Sequence, residues 1–129
     1  MKSPEVFGLV LYKRLDFAQQ PGQASLVGLF HAVRFDKFPT PPEKFSVYAA
    51  LYDGEGEGTI ELILTRLETE EEKCICRKWL TLPGRDQVVN LDMSVKHQVF
   101  PAPGRYLLAL RFDQELLTRR TLEVFRIGT

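Results

Sequence analysis

The sequence is poor in the residues that usually announce chemistry. Its 129 residues hold two cysteines, two histidines, two methionines and one tryptophan. Two cysteines cannot staple a small secreted fold. Cys74 and Cys76 also stand only two apart, where a disulfide in an extended segment would be strained. Reduced thiols and a cytoplasmic location are the expectation. No run approaches the ~18 apolar residues of a membrane span; Leu26 to Phe30 is strand-sized. No secretory leader is read near the N-terminus, because Lys13 and Arg14 follow Val6–Tyr12 at once and no small-residue cleavage site appears. Excess charge of either sign is missing too. The 17 basic residues balance 17 acidic ones, which argues against a surface built throughout for nucleic acid and predicts weak steering of charged partners. No G-x-S-x-G elbow and no phosphate loop ending in Gly-Lys-Ser/Thr is present.

What is present is the making of one well-filled domain. Apolar residues make up 44% of the chain and charged residues 26%, close to the globular average. A chain of this length buries roughly two-thirds of the surface it exposes when unfolded and needs no staple. Its dominant hydrophobic period is two. Ile60, Leu62 and Leu64 alternate with Thr59, Glu61 and Ile63. Val89, Leu91, Met93 and Val95 alternate with Val88, Asn90, Asp92 and Ser94. Tyr106, Leu108, Leu110 and Phe112 alternate with Arg105, Leu107, Ala109 and Arg111. Such patterns suit strands with one face in a core. Turn residues punctuate them: Gln20-Pro21-Gly22, Phe38 to Pro42, Asp53 to Gly58, Pro83-Gly84-Arg85, Pro101 to Gly104 and Asp113-Gln114. The predicted strands are 6–16, 24–35, 45–53, 58–68, 73–82, 87–98, 105–112 and 117–127. Neither Leu67–Lys78 nor Glu115–Phe125 carries an apolar helical stripe, so at most a short helix or turn is expected near 68–73. The fold class is all-β, an antiparallel two-sheet sandwich of about eight strands in a single domain over residues 1–129.

Two predicted strands are apolar on both faces. In 24–35, Leu26, Phe30 and Ala32 oppose Val27, Leu29, Val33 and Phe35. In 45–52, Phe45, Val47, Ala49 and Leu51 oppose Ser46, Tyr48, Ala50 and Tyr52. In a two-layer sandwich the outer face of such a strand needs a cover, whether a loop, another subunit or a ligand. The run Gly22 to Phe30, the Phe38-Pro39 step, the segment Phe100-Pro101-Ala102-Pro103-Gly104-Arg105-Tyr106 and a hairpin at Asp113 to Glu115 together resemble a family of small uncharacterised bacterial proteins. The resemblance implies a single β-sandwich domain of immunoglobulin-like form. It brings no established activity and no functional residue. The Pro-Gly-x-Tyr step into a strand also looks like the closing strands of many immunoglobulin-like modules, an analogy of architecture only.

Several groupings invite chemistry and have plainer readings. Asp53, Glu55 and Glu57 between glycines could offer oxygens to Ca²⁺, but they match a calcium loop poorly and read as a solvated hairpin turn with glycines at positive φ. Cys74 and Cys76, on one side of a strand, could be half of a zinc site completed by His31 and His97; they read more simply as two small hydrophobes. No cofactor is expected, and neither His suggests catalysis. Trp79 reads as a core anchor or as a partner contact, and a bulge near Arg77–Lys78 would reconcile the phases around it. Arg119-Arg120 and Arg77-Lys78, with Lys73, Arg85 and Arg126, could line a sheet surface with Trp79 and Phe125 and hold an anion or single-stranded nucleic acid; edge-blunting charge is the plainer reading. Tyr48 and Tyr52 beside the strand of Phe30 make the sharper surface, unless a loop such as 36–44 folds over it. The reading is a non-catalytic binding or assembly module. Its interaction surface would draw on Tyr48, Tyr52, Phe30, Trp79, Arg119 and Arg120, and its partner would be a second copy or another protein. No membrane is expected, nucleic acid is not favoured, and an enzyme with an unfamiliar site is the more distant alternative.

Overall fold

Ten strands form in the computed structural model, which describes residues 2–17, 24–27, 30–84 and 86–127. They are β1 (Glu5–Tyr12), β2 (Arg14–Phe17), β3 (Ala24–Val27), β4 (Ala32–Phe35), β5 (Glu43–Tyr52), β6 (Glu55–Arg66), β7 (Glu71–Pro83), β8 (Val88–Gln98), β9 (Gly104–Phe112) and β10 (Glu115–Arg126). One sheet has the order β1-β5-β8 and the other β4-β10-β9-β6-β7, while β2 and β3 pair as a separate ribbon. The pairs are antiparallel except that β4 runs parallel to β10. No helix occurs among the described residues.

The alternation read in the sequence builds the core directly. Ile60, Leu62 and Leu64 of β6, Tyr106, Leu108, Leu110 and Phe112 of β9, and Leu122 and Val124 of β10 face inward from the larger sheet. Leu9 and Leu11 of β1, Phe45, Val47, Ala49 and Leu51 of β5, and Leu91, Met93 and Val95 of β8 meet them from the smaller one. These two inner faces make one contiguous cluster, the signature of two packed layers.

Tyr106 ties this core to the loop before it. Its ring meets Phe100 edge-on, with centroids 5.2 Å apart, and its hydroxyl donates to the carbonyl of Ala102 at 2.8 Å. Burial pushes the phenol pKa up. The loop of residues 36–42 belongs to the same end. The Phe38–Pro39 peptide is cis, Phe38 meets Phe35 edge-on, Phe35 stacks on Phe100, and Thr40 and Phe100 exchange two 3.0 Å bonds.

The structure departs from the expected strands in three places. The run 6–16 breaks at Lys13, where the chain leaves β1 for the ribbon. The run 24–35 is two strands rather than one: β3 pairs with β2, β4 joins β10, and between them Phe30 bridges to Leu11 through a 3.0 Å bond. The run therefore belongs to two different sheets. The charged stretch near 68–73 holds the expected turn, with Glu70 at φ 61°, before β7 begins at Glu71. Finally, the bulge of β7 lies at Ile75, where the register slips between Leu62↔Cys76 and Ile63↔Cys74. It does not lie at Arg77–Lys78.

That bulge decides the fate of the cysteine pair. Opposed residues of an antiparallel pair point to the same side. Cys76 thus turns inward with Leu62, where burial pushes its thiol pKa up, and Cys74 turns outward with Ile63 and is exposed. The two cysteines do not share one side of the strand, as the spacing predicts, because one extra residue sends the two thiols to opposite faces.

Candidate functional site

The outer face of the three-stranded sheet carries the aromatic surface. Tyr48 and Tyr52 point outward from β5, between β1 and β8. In β1 the register slips between Val6 and Leu9, and Gly8 takes φ 109°, a conformation that side chains resist. The slip keeps Val6 on the core side and leaves Phe7 outside. Phe7 is 61% exposed and lies 5.5 Å from the Tyr52 ring. Val88, opposite Tyr52 on β8, is 54% exposed. Phe7, Tyr52 and Val88 thus form a continuous apolar band across all three strands. Polar groups hold its tyrosines in place. Tyr48 donates to Asn90 at 2.6 Å, and Tyr52 donates to Asp86 at 3.0 Å, which raises the Tyr52 pKa. At the far end of the same face Tyr12 is buried and donates to Asp92. Burial first, and Asp92 second, push its pKa up to about 12. The loop 36–42 docks on Phe35 and Phe100 instead of covering this band.

The other expected residues lie elsewhere. Trp79 projects from the outer face of β7 opposite Thr59 and is 64% exposed, so it is no core anchor. Phe30 packs edge-on against Phe45 at the margin of the core. Arg119 faces outward on β10. Arg120 is in phase with buried Leu108, and its guanidinium donates to the carbonyl of Leu9, closing the β1 side of the sandwich. The six residues therefore occupy four separate regions.

The outer face of the five-stranded sheet is a lattice of opposite charges rather than a basic stripe. Arg77 places two nitrogens on Glu61 at 2.7 and 3.0 Å. Arg105 meets Glu123 at 2.7 Å and Arg111 meets Glu72 at 3.2 Å. Glu61 is only 7% exposed. Its shielding comes from the arginine laid over it, and that hydrogen bond holds its carboxyl below the ordinary range. The acidic turn near Asp53 is equally committed. Asp53 pairs with Lys2, whose backbone exchanges two bonds with Glu55. Gly56 takes the expected positive φ, but Gly54 and Gly58 serve close approach instead. A Cβ would lie 2.7 Å from Leu82 at the first and 2.5 Å from the Asp113 carboxylate at the second. No group of three or more His, Cys, Asp or Glu able to hold a metal occurs among the described residues. No helix among them is long and apolar enough to cross a membrane.

A cleft of about 470 Å³ opens where β4 passes the start of β5. Phe30, Phe35, Phe45 and Phe100 line it, with Lys13, Arg34, Lys44 and Glu43. Neither this cleft nor Phe7 and Val88 was singled out in the sequence. Val88 carries a signal there, an apolar residue in the polar phase of its strand, and Gly8 marks where β1 changes phase. The cleft gathers residues from four separate segments, and no local pattern reports it.

A family of unknown function, DUF6941, matches residues 16–125. The chain belongs to that family. The span shared with DUF6941 takes in Tyr48, Tyr52, Val88 and Trp79 and stops short of Phe7 and Lys13. No curated protein matches the sequence. Among solved structures, the fold resembles part of the Pseudomonas fluorescens alkylpurine DNA glycosylase AlkC, bound to DNA containing an abasic site analog. The TM-score is 0.54 at 10% identity, over 96% of this chain and 31% of the glycosylase. It also resembles part of the β-glucosidase from Listeria innocua, at TM-score 0.54 and 11% identity over 95% of this chain and 16% of that one. The β-glucosidase from Kluyveromyces marxianus gives 0.50 and 9% over 70% of this chain and 14% of that one. The DUF6941 chain spans less than a third of each of these proteins, and at such identities the likeness is one of fold.

Proposed function

We propose that the chain is a non-catalytic, immunoglobulin-like binding module that docks a protein partner through the outer face of its three-stranded sheet. The observation that carries the reading is the band of exposed Phe7 and Val88 flanking half-buried Tyr52 across all three strands, framed by hydrogen-bonded polar groups. Aromatic anchors ringed by polar groups are how interface hot spots are built. A tyrosine held by its hydroxyl presents a large rigid ring at little further entropy cost. The immunoglobulin-like description draws on the sheet order and on Tyr106, which opens β9 and bonds back to Ala102, the arrangement of a tyrosine corner. The accessory role draws on the recurrence of the fold as a minor part of longer enzyme chains. Nucleic acid is not favoured, since the arginines at 77, 105 and 111 already meet carboxylates.

Site-specific photo-crosslinking in the protein's own host tests this. A benzoylphenylalanine at position 7 or 88 is expected to trap a discrete protein partner, or a second copy of the chain, that the same probe at Arg119 does not trap. Absence of a discrete product from both positions 7 and 88, or the same product from position 119, would sink the reading.

A further inference from the structure

The cleft beside β4 lies away from the aromatic band. Lys44 and Tyr52 are eight residues apart on β5, about 26 Å at 3.3 Å per residue. Three features meet there. The first is an apolar floor of Phe30, Phe35, Phe45 and Phe100. The second is charge: Lys13, Arg34 and Lys44 against the single carboxylate of Glu43. This contrasts with the paired lattice on the larger sheet.

The third is backbone. β4 is the end strand of its sheet, and among the described residues it pairs only with β10. The carbonyls of His31 and Phe35 accept from Glu123 and Ile127, so these alternate residues turn their backbone groups toward β10. In a parallel ladder the residues between them turn theirs the other way. The N–H and C=O of Ala32 and Arg34 therefore point away from β10, toward the edge that no other described strand occupies, along the cleft. An unpaired edge above an apolar floor is the geometry of β-strand addition, in which main-chain bonds supply affinity and pockets for alternate side chains supply specificity.

We infer that this cleft binds an extended peptide segment of alternating acidic and apolar residues, added as a strand beside β4. Its backbone meets Ala32 and Arg34, its apolar side chains enter the phenylalanine floor, and its carboxylates face Lys13, Arg34 and Lys44. A strand of four residues, as long as β4, is matched in length by about 13 Å of ligand.

The test is fluorescence anisotropy of the full chain with a labelled eight-residue peptide of alternating glutamate and valine. Controls are alternating lysine and valine, and the glutamate–valine peptide N-methylated at every second amide in each of the two registers. The expected result is saturable binding of the glutamate–valine peptide and none of the lysine–valine peptide. One methylation register is expected to abolish binding. Arg34→Glu and Lys44→Glu are each expected to weaken it about tenfold, the scale of reversing one rim contact. Lys44→Glu guards against a folding effect of Arg34, whose guanidinium also lies over Phe125. Failure of the glutamate–valine peptide to bind overturns the inference, as does equal binding of the lysine–valine peptide. Equal binding of both methylated registers removes strand addition and overturns it as well. So does affinity within twofold of wild type in both charge-reversed variants.

Discussion

Replacing Tyr106 by Phe removes one oxygen and leaves the core ring in place. Tyr106 is 2% exposed, its ring packs edge-on against Phe100, and its hydroxyl donates a 2.8 Å hydrogen bond to the Ala102 carbonyl. The substitution loses a bond worth about 0.5–1.5 kcal/mol net and leaves a partly buried acceptor short of its donor, so a loss near 1.5 kcal/mol is expected. Unfolding entropy near 60 °C is about 2.1 cal/mol/K per residue. For 129 residues that gives about 0.27 kcal/mol/K, so the melting temperature should fall by about 5 °C. Differential scanning calorimetry reads this directly. Tyr48→Phe is the control, because its bond to Asn90 is exposed; its loss should stay under about 0.5 kcal/mol, or about 2 °C. A Tyr106→Phe protein that melts no lower than Tyr48→Phe would refute the idea that this corner anchors β9 to the loop before it.

Gly58→Ala should cost about 1–3 kcal/mol in urea denaturation, because its Cβ meets a carboxylate pinned by the Thr59 amide; in an Asp113→Ala background the cost should nearly vanish. Glu61→Gln should destabilise the protein at neutral pH. Since Arg77 holds the Glu61 pKa below its ordinary value of 4.5, the gap between variant and wild type should close as pH falls from 4.5 through the lowered value, and a pH-independent gap would contradict the pairing. Tyr12, raised to about 12, contributes stability that is complete below pH 10 and lost as pH climbs toward 12. The tyrosinate absorbance that distinguishes wild type from Tyr12→Phe should therefore stay absent until near pH 12. Trp79→Ala should shift stability by less than about 0.5 kcal/mol, and the fluorescence of this single tryptophan should be that of a ring in water.

Strand phase was legible because it is a local property. The alternations at 59–64, 88–95 and 105–112 place Leu62, Met93 and Leu108 in the core as read. Phase fails where an extra residue enters, since a slip of one moves every later side chain to the other face. Ile75 is such a residue, and it separates Cys74 from Cys76. The slip that leaves Phe7 outside is another, marked only by Gly8. Segment 24–35 failed for a different reason. An apolar run does not say that its two halves pair with different partners, and only the bridge from Phe30 to Leu11 shows where they part.

Sheet membership is not local, and this is why the expected site scattered. Tyr48 and Arg119 read as outward residues of strands, and both are; Trp79, read first as a core anchor, turns outward as well. But β5 lies at the centre of one sheet, while β7 and β10 belong to the other, so their outward sides face opposite directions. Arg119 and Arg120 are neighbours in sequence, yet β-pleating sends one to the surface and the other to the Leu9 carbonyl. The same logic governs charge. Zero net charge did not foretell that arginines of β7 and β9 would each meet a glutamate brought by another strand, Glu61 for Arg77 and Glu72 for Arg111. Lys13, Arg34 and Lys44 escape that pairing scheme because they come from a strand exit, an edge strand and a strand start, and converge where β1 has already left its sheet. A balanced chain thus gathers three cations along β4, whose edge away from β10 pairs with no other described strand.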